Sequence, residues 1–598
     1  MALGTGATLG AGADPAPARA TGNGQRPDSE VMTMAVPHAV DVLVIGGGTT
    51  GAGVLRDLAR RGMTSLLVDR EDFATGTSGR YHGLLHSGGR YVGKDKVAAR
   101  ECIEENRVLR RIAPASIEDT GGYFVATPDD PDDYVEAFAD NCNQSGVDCD
   151  EVKVADLLAR EPAINPGIRR AFRVPDGSIE PWGLIEAMVA DARAHGSDAL
   201  TYHRVIGMEV TSGRIEAVTV RDERTGSVSR VWPKFVVSAA GAWAGQIAAL
   251  ANVKVEMTPG KGTMLVYNYR VTDAVINRCH RSSDGDIMVP IHSVSILGTT
   301  DIKVPDPDDY DITREEIRRL VEEGAKLFPS LRQMRILRAY AGVRPLYRAP
   351  ADTVASAGNR SITRAHAILD HADQGVDNFV SIVGGKLTTH RLMAEQTVDV
   401  VAQKLGNTTA CTTADEVLPG MEPGHHYWVG HRLADHEAEG GGDADLLCEC
   451  ELVTRRMTEA YLDTHWPCSI DDVRRGTRVG MGPCQGAFCT FRVAGLVAER
   501  LDAQTKATGQ PAPGTEPGTP EEVGHAPGSG SLHAAIADRA LTAFMRERTK
   551  GVRPIASGRQ LQELMMTRLL YVDVLGVESL STASAPVFED GEAVDAAR

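Results

Sequence analysis

The sequence predicts a multidomain protein that combines the α/β and α+β classes. A chain of 598 residues is too long for one hydrophobic core, so several domains are expected. Near its start, the apolar run at 42–45 is followed by a glycine-rich turn, a helical pattern and a second apolar run at 65–68. Four cysteines lie in two short pairs much later in the chain. These observations predict a parallel βαβ unit and, separately, a small cysteine-bearing domain.

The composition, with 42% hydrophobic and 24% charged residues, is typical of a soluble globular protein. A net charge of −18 disfavours a nucleic-acid partner, although a local basic site for a small anion remains compatible with it. The sequence contains no apolar run of the roughly 18 residues that a membrane span needs, and residues 1–36 lack the pattern of a signal peptide. We expect those 36 residues to form a disordered lead-in, and ten cysteines in so long a chain indicate a reducing, cytoplasmic setting rather than a disulfide scaffold.

The first glycine-rich turn has the spacing of a dinucleotide-binding site. Gly46 permits a tight turn, Gly48 lets the backbone approach a pyrophosphate, and Gly51 allows close packing of helix on strand. Asp69, at the end of the second strand, is placed to accept a hydrogen bond from a ribose hydroxyl. Such a triplet also occurs in ordinary βα turns, but the two strands, the helix and the acid together favour a nucleotide.

The segments that follow contain further residues that could line the same site. Residues 72–90 are irregular and glycine-rich, and a loop of that length in a compact domain is usually functional. A helix is predicted at 181–194, an interrupted pair of strands at 205–220, and a strand at 235–238. The small residues that follow this last strand would leave room for a flat ring or a ribose.

A separate layer, largely residues 256–340, is predicted from strands at 264–269 and 293–299 and a helix after a capping box. Thr313 and Glu316 form that box. The chain then returns to the first domain, where a strand at 379–383 runs into a second glycine-rich turn before a helix. That turn again directs backbone N–H groups towards a cavity.

The grouped cysteines have the pattern C-x-C and C-x4-C, with 33 residues between the pairs. Four thiolates suit a [2Fe–2S] cluster, whereas a zinc site would favour wider spacing in the first pair; zinc and four unrelated thiols both remain open. Residues 504–530 are predicted to be a flexible linker and 531–598 a helical tail with an apolar docking face. The four cysteines are Cys448, Cys450, Cys484 and Cys489, and the apolar positions of the tail include Leu561, Leu564, Leu569 and Leu570.

Several motifs resemble the FAD-dependent glycerol-3-phosphate dehydrogenases, which are flavoproteins of the glutathione reductase/D-amino acid oxidase-like class. They are GGGTTGAG, DFATGTSGR, LLHSGGRY, DGSIEPW, GTTD, YAGVRPL and GGKLTTHR. The cysteine pairs extend the resemblance to the A subunits of the anaerobic enzymes, whose small domain is similar to bacterioferritin-associated ferredoxin. The resemblance implies an FAD-binding Rossmann-like domain at 37–425 with an antiparallel-sheet substrate domain, and a [2Fe–2S] domain at 444–500.

The resemblance also implies roles for individual residues. FAD would contact Gly46, Gly48, Gly51, Asp69, Thr77, Ser78, Gly88, Gly89, Gly241, Gly384 and Gly385. Glycerol 3-phosphate would contact Arg90, Tyr91, Arg344, Lys386 and Thr388, and arginine suits a phosphate because its guanidinium binds two oxygens at once. The expected reaction is oxidation at C2 to dihydroxyacetone phosphate, with Arg90, Arg344, Lys386 and His86 as catalytic candidates.

The general base stays open. Some relatives carry a histidine in a KGSH stretch where this chain has Met264, and a thioether cannot take the proton. His86 and His292 remain as candidates because imidazole titrates in the right range.

An iron–sulfur centre beside a flavin predicts that electrons leave singly towards partner proteins. The resemblance implies two partners, a flavin-bearing B subunit and an iron–sulfur C subunit. The second would attach the complex to the inner face of the cell membrane, with quinone as final acceptor. Two other functions remain open: an FAD-dependent amino-acid or 2-hydroxyacid dehydrogenase with the same cluster domain, and a non-catalytic scaffold that binds FAD and a cluster.

Overall fold

The structure, a computed structural model, describes residues 39–347, 365–422, 429–438, 440, 446–508 and 531–569. The lead-in predicted for residues 1–36, most of the predicted linker and the end of the helical tail lie outside the described residues.

Within these ranges, fourteen helices and twenty-two strands are numbered in chain order. The helices are α1 Thr49–Arg60, α2 Lys96–Ile112, α3 Asp132–Gln144, α4 Val154–Arg160, α5 Pro181–Ala194, α6 Ala244–Ala249, α7 Arg314–Leu327, α8 His390–Leu405, α9 Val429–Ala438, α10 Arg455–His465, α11 Ile470–Thr477, α12 Cys489–Thr508, α13 Ser531–Val552 and α14 Gly558–Leu569. The strands are β1 Ala39–Ile45, β2 Ser65–Val68, β3 Leu84–Leu85, β4 Ile117–Glu118, β5 Gly122–Ala126, β6 Asp150–Val152, β7 Arg170–Val174, β8 Gly177–Ile179, β9 Asp198–Leu200, β10 His203–Thr211, β11 Arg214–Asp222, β12 Val228–Ser238, β13 Gly260–Tyr267, β14 Val275–Arg278, β15 Ile287–Ile291, β16 Val294–Gly298, β17 Ile302–Lys303, β18 Ile336–Arg344, β19 His366–Asp370, β20 Phe379–Gly384, β21 Leu446–Cys448 and β22 Val453–Thr454.

The first sheet positions the glycine-rich turns. β1 lies between β2 and β12 and runs parallel to both, and β9 and β20 continue the sheet outwards, also in parallel. Helices α1, α5 and α8 cover one face, while α6 and the β10–β11 hairpin pack on the other. Because both faces are covered, the buried stretches of the central strands at 42–45, 66–68 and 235–237 are apolar. The predicted βαβ unit and the FAD-type α/β fold are confirmed.

The second sheet forms the predicted antiparallel layer. Its order is β17-β13-β16-β15-β14-β5-β7-β6, with β18 also paired to β13, and β14 and β5 are its parallel pair. The capping box that begins α7 is present, and Leu320 and Leu327 of this helix pack against the sheet. Three strands of the sheet come from residues 122–174, which the sequence-based boundary of 256–340 did not include.

The small C-terminal domain contains β21, β22 and helices α10 to α12. Helix α13 packs on α12, and its Leu541 and Phe544 belong to the same hydrophobic core. The helical tail is therefore part of this domain as far as α13. Among the helices of the described residues, none combines the length and apolar character needed to cross a membrane.

Candidate active site

A cavity of about 410 Å³ opens at the carboxyl ends of β1, β2 and β12. Eight of the eleven residues predicted to contact FAD line it, namely Gly46, Gly48, Asp69, Thr77, Ser78, Gly241, Gly384 and Gly385. This is the position at which open parallel sheets bind dinucleotides.

The backbone of the first turn leaves space that a side chain would fill. Gly46 has a φ of +113°, and a Cβ there would lie 2.6 Å from the carbonyl oxygen of Ala239. A Cβ on Gly51 would overlap the carbonyl oxygen of Gly46, so this glycine lets α1 pack on the turn. Helix α1 has no side-chain cap at Gly48. The backbone N–H of Thr49 donates to Ser78 Oγ at 3.1 Å. Gly48, Thr49 and Thr50 at the amino end line the cavity, where the helix would favour a pyrophosphate.

Asp69 holds the turn and also faces the cavity. One carboxylate oxygen accepts from the backbone N–H of Gly47 at 2.6 Å, and the other from that of Glu71 at 2.9 Å. Burial raises the pKa of Asp69 to about 6. Each oxygen keeps a second lone pair, so the side chain fits the predicted bond from a ribose hydroxyl.

Three predicted FAD contacts have a packing role. Gly51 lies behind the turn, and Gly88 and Gly89 precede Arg90 outside the cavity lining. A Cβ on Gly88 would overlap the backbone of Ala99, and one on Gly89 would lie 2.7 Å from the ring of Phe124. These glycines let the loop that carries Arg90 lie close against α2 and β5.

The second glycine-rich turn closes the other side of the cavity. Gly384 and Gly385 have φ values of +76° and +74°, and a Cβ on Gly385 would overlap the thioether of Met393. Lys386 follows directly, and its ammonium lies 4.9 Å from the centre of the Tyr91 ring. This contact joins the turn to the loop that carries Arg90.

Both predicted arginines are held by carboxylates. The Arg90 guanidinium donates to both oxygens of Asp286 at 2.9 Å and to Ser282 at 2.9 Å. Arg344 donates to Asp301 at 3.2 Å and to the carbonyl oxygen of Thr300 at 2.9 Å. These bonds fix both guanidinium groups before any substrate binds.

His82 lies near enough to Arg90 and Arg344 for the charges of both to lower its pKa, and it was not predicted from the sequence. Desolvation, followed by the charges of Arg90 and Arg344, lowers the pKa of His82 to about 3, so the imidazole is neutral. Its Nδ1 accepts from the backbone N–H of Leu84 at 3.2 Å. The proton is then on Nε2, which makes this atom a donor. The YHGLLH stretch contains His82 as well as His86, so the sequence did offer a second histidine. No local pattern indicated that Arg344 would lie near it.

His86 lies beside the same group of residues. Its ring centre is 5.5 Å from that of Tyr91 and 6.0 Å from that of His82, and its backbone N–H donates to Thr388 Oγ1 at 3.1 Å. The structure thus brings together His86, Tyr91, Lys386 and Thr388, and places His82 with Arg90 and Arg344.

His292, the other candidate base, lies elsewhere. It follows β15, whereas Asp286, the partner of Arg90, precedes the same strand. Six steps along a strand at ~3.3 Å per residue separate the two positions by about 20 Å. The His292 imidazole is fully buried against Glu451 of the small domain. This location removes it from the proton transfer for which it was considered.

A second cavity of about 1110 Å³ adjoins the first. The two share Arg80 and Tyr81 in their walls, and the larger one extends to Gly480 and Gln485 beside the grouped cysteines. It separates the nucleotide cavity from the cysteine loop.

The four grouped thiols converge. Cys448 contacts Cys489, Cys489 contacts Cys484, and Cys484 contacts Cys450. Backbone N–H groups of Gly480 and Glu451 reach the Cys448 sulfur, and those of Gly486 and Phe488 reach the Cys484 sulfur. Within the described residues, no three His, Cys, Asp or Glu side chains surround a single point as one metal ion requires.

Comparisons with known proteins agree with this geometry. The family model described as FAD dependent oxidoreductase, abbreviated DAO, matches residues 41–399. The chain is 40% identical over 559 residues to the A subunit of the anaerobic glycerol-3-phosphate dehydrogenase of Escherichia coli K12, covering 90% of this chain and 97% of that protein. It is 38% identical over 585 residues to the A1 subunit of the anaerobic glycerol-3-phosphate dehydrogenase from Haloferax volcanii, covering 92% and 94%.

Solved structures support the fold. Glycerol-3-phosphate dehydrogenase from Bacillus halodurans, complexed with FAD, superposes with a TM-score of 0.58 at 21% identity, covering 87% of this chain and 96% of that one. L-alpha-glycerophosphate oxidase from Mycoplasma pneumoniae, with FAD bound, gives 0.51 at 18% identity, covering 64% and 100%. The chain therefore belongs to the FAD dependent oxidoreductase family and, within it, to the anaerobic glycerol-3-phosphate dehydrogenase A subunits.

Proposed function

We propose that this protein oxidises sn-glycerol 3-phosphate at C2 to dihydroxyacetone phosphate. The observation that carries the proposal is the meeting of the Arg90 loop and the Lys386 turn at the cavity, where the Lys386 ammonium lies 4.9 Å from the centre of the Tyr91 ring. The ring of His86, the candidate base, lies 5.5 Å from that of Tyr91. A phosphate dianion needs several fixed cationic donors, and a secondary alcohol needs a proton acceptor beside them. The identity to the A subunits of glycerol-3-phosphate dehydrogenases supports the same substrate.

The cofactor is FAD, which when bound accepts a hydride from C2 of the substrate at its N5 atom. Gly46, Gly48 and Asp69 would hold its adenosine and pyrophosphate, because they line the cavity and leave the space that these groups need. The turn at Gly384 and Gly385 would face the ring system, and its direction brings Lys386 to the same end of the cavity.

The two arginines would bind the phosphate of the substrate. Each guanidinium is paired with one carboxylate, Asp286 or Asp301, so the pairs add little net charge. Lys386 would be a further cationic group near the substrate, from its place over the Tyr91 ring. The paired carboxylates fix the position of the guanidinium groups.

His82 would orient the alcohol, and His86 is the remaining candidate for the base. His82 and Met264 both lie against Gly298, so an imidazole stands next to the position where some relatives carry histidine. Because His82 Nδ1 accepts from Leu84, its Nε2–H would donate to the substrate oxygen. His86 would take the hydroxyl proton from beside Tyr91 and Thr388.

Anaerobic reduction of the purified flavoprotein tests the substrate. Glycerol 3-phosphate should bleach the visible flavin absorbance and produce dihydroxyacetone phosphate in equal amount. Bleaching by an amino acid or a 2-hydroxyacid, with none by glycerol 3-phosphate, would establish the alternative dehydrogenase function. Bleaching by none of them would favour the scaffold.

We propose further that Cys448, Cys450, Cys484 and Cys489 bind a [2Fe–2S] cluster. The contacts among the thiols bring the four sulfurs together, as a cluster of two irons with two thiolates each would need. Backbone N–H groups at two of the sulfurs would stabilise thiolate charge. When bound, the cluster would carry single electrons out of the protein.

Replacing Cys484 with serine tests the ligand set. The Cys484→Ser variant should lose iron and acid-labile sulfide and keep FAD. Cys468→Ser is the matched control, because Cys468 lies in the same domain outside the contacting group. Zinc in place of iron in the wild-type protein would support a zinc site. Full iron retention by Cys484→Ser would show that Cys484 is not a ligand.

The electrons would then pass to quinone through partner subunits. Relatives named as A subunits imply that further subunits exist. We propose that one partner is a flavin-bearing B subunit and that a C subunit attaches the complex to the inner face of the cell membrane. The isolated chain should therefore oxidise glycerol 3-phosphate with an artificial dye and fail to reduce a quinone. Direct quinone reduction by the chain alone would contradict the proposal that partner subunits pass the electrons to quinone.

A further inference from the structure

Three buried side chains join the cysteine loop to the substrate-domain sheet. His292 Nδ1 lies 3.2 Å from Glu451 Oε2, and Arg478 Nε donates to the same oxygen at 2.9 Å. Ser293 donates to the other carboxylate oxygen at 3.2 Å. The side chains of His292 and Glu451 are 0% exposed and that of Arg478 is 3% exposed. A carboxylate that is completely buried needs such charged and hydrogen-bonding partners to offset the cost of its desolvation.

Glu451 is part of the loop that carries two of the four thiols. It directly follows Cys450, and its backbone N–H reaches the Cys448 sulfur. Its carbonyl oxygen accepts from Arg432 at 2.9 Å. A displacement of Glu451 would therefore move both sulfurs of the first pair. The carboxylate fixes the loop from the side of the substrate domain.

The other end of this contact leads to the substrate site along a single strand. β15 begins directly after Asp286, which holds Arg90, and ends directly before His292. Met288 and Val289 in its middle are fully buried, and the strand is bonded to β14 and β16. A closely packed central strand deforms little, so a displacement at one of its ends is transmitted to the other. The anchor of Arg90 and the contact of Glu451 are thus two ends of one rigid element.

We propose that Glu451, with His292 and Arg478, positions the iron–sulfur loop against β15 and so sets the geometry for electron transfer from the flavin site. The three are positioning residues, because none touches the substrate. This inference rests on the proposed cluster and goes beyond the ligand set and the reaction.

The chain offers well-matched variants. Glu451→Gln keeps the shape and removes the charge, and His292→Asn lies outside the cysteine motif. Asparagine suits position 292 because the residue has a φ of +49°, a region that asparagine adopts readily. Glu449→Gln is the control, since Glu449 lies between the two cysteines with its side chain 58% exposed and paired with Arg492.

Anaerobic stopped-flow measurements with glycerol 3-phosphate test the proposal. In Glu451→Gln and His292→Asn, flavin bleaching should keep its wild-type rate, while the cluster signal should appear on the order of tenfold more slowly. Glu449→Gln should match the wild type in both. Wild-type cluster reduction in His292→Asn with full iron content would overturn the proposal, even if Glu451→Gln loses iron.

Hydrogen exchange of the metal-free protein separates this proposal from the cluster itself. Backbone amides at 287–294 should exchange faster in His292→Asn and in Glu451→Gln than in Glu449→Gln, because the contact no longer holds the end of β15. Unchanged exchange would overturn the proposed contact. A wild-type protein without iron, but with this exchange difference, would refute the cluster and leave the coupling of loop and strand standing.

Discussion

Single side chains in the active site are bound by the protein before the substrate arrives. Nη2 of Arg90 donates to both oxygens of Asp286, and Arg344 donates to Asp301 and to the carbonyl oxygen of Thr300. Asp286 and Ser282 are both bound through Nη2 of Arg90, so the other nitrogens of this guanidinium can still donate to a phosphate. The carboxylates restrict the rotamers that a free arginine would sample, and this lowers the entropy lost when substrate binds.

Replacing Arg90 with glutamine should reduce kcat/KM by about 30- to 1000-fold, the equivalent of on the order of 2–4 kcal/mol for a lost charged contact. Most of the loss should appear as a higher KM, because the role proposed for Arg90 is to bind the phosphate and not the reacting carbon. Steady-state kinetics with a dye acceptor measures it. FAD content should stay at the wild-type value, since Arg90 does not line the nucleotide cavity.

The buried partner needs its own control. Asp286 has only 2% of its side chain exposed, so Arg90→Gln alone leaves an unpaired carboxylate. The double variant Arg90→Gln/Asp286→Asn removes that charge and should stay as slow as the single variant. Recovery of activity in the double variant would show that the defect came from Asp286 and that Arg90 does not bind the phosphate.

His390 gives a pH-dependent term in stability. Desolvation lowers the pKa of this buried imidazole to about 4, and its Nδ1 lies 2.8 Å from the carbonyl oxygen of Leu387. The unfolded chain, with an ordinary pKa near 6.5, binds the proton more readily below that pH. The contribution of His390 to stability is therefore full above pH ~6.5 and falls towards pH ~4, by about 2 kcal/mol at pH ~5.

His390→Asn keeps a donor near the Nδ1 position and removes the titration. Between neutral pH and pH ~5, its thermal unfolding midpoint should fall less than that of the wild type, because the pH-dependent contribution of His390 to the free energy of unfolding is removed. His195→Asn serves for comparison because the His195 side chain is 41% exposed. Equal acid sensitivity of His390→Asn and the wild type would show that His390 does not titrate in this range.

Among the secondary-structure elements, the turn between β20 and α8 forms part of the wall of the proposed flavin cavity, so its shape should control FAD binding. Gly385→Ala should strongly reduce bound FAD, because the new methyl group would overlap Met393 and shift the turn at the cavity wall. The ratio of FAD to protein after gel filtration measures this loss. An unchanged ratio would mean that the turn does not contact the flavin.

Gly375→Ala is a matched control for that change. Gly375 has a φ of +87°, so alanine brings the same backbone strain of about 1 kcal/mol. A Cβ there meets no atom within 4 Å, and Gly375 lies outside the cavity wall. This variant should lose a little stability and bind FAD normally.

Elements whose signals are local were predictable from the sequence. The βαβ unit, α5 and the capping box at Thr313 each depend on residues within one turn or one strand of each other. The contribution of β5 to the second sheet was not predictable, because its partner β14 lies about 150 residues further along the chain. His82 was missed for the same reason, since Arg344 comes from a distant strand.

At the scale of the whole molecule, a charged contact helps to hold the small domain on the first domain. Arg475 donates to Asp72 of the irregular loop at 3.0 Å and also binds Asp471 and Asp472. Tyr202 donates to Asp472 at 2.7 Å from the end of β9. The guanidinium thus offsets part of the repulsion among three acids in a partly dry interface, and Arg474 also pairs with Asp471 at 2.7 Å.

Arg475→Ala should weaken the docking of the small domain by about 3–5 kcal/mol, because removing one partner leaves buried charges uncompensated. Scanning calorimetry should then resolve an early transition for the small domain that is absent from, or later in, the wild type. Arg455→Ala is the control, since Arg455 forms exposed pairs with Glu459 and Glu499 inside that domain. In the proposed electron route, Arg475→Ala should also slow cluster reduction without slowing flavin reduction, because the proposed flavin and cluster sites belong to the two domains that this contact joins. If calorimetry of Arg475→Ala matches that of Arg455→Ala, the apolar core around α13 holds the domains together without help from this charge network.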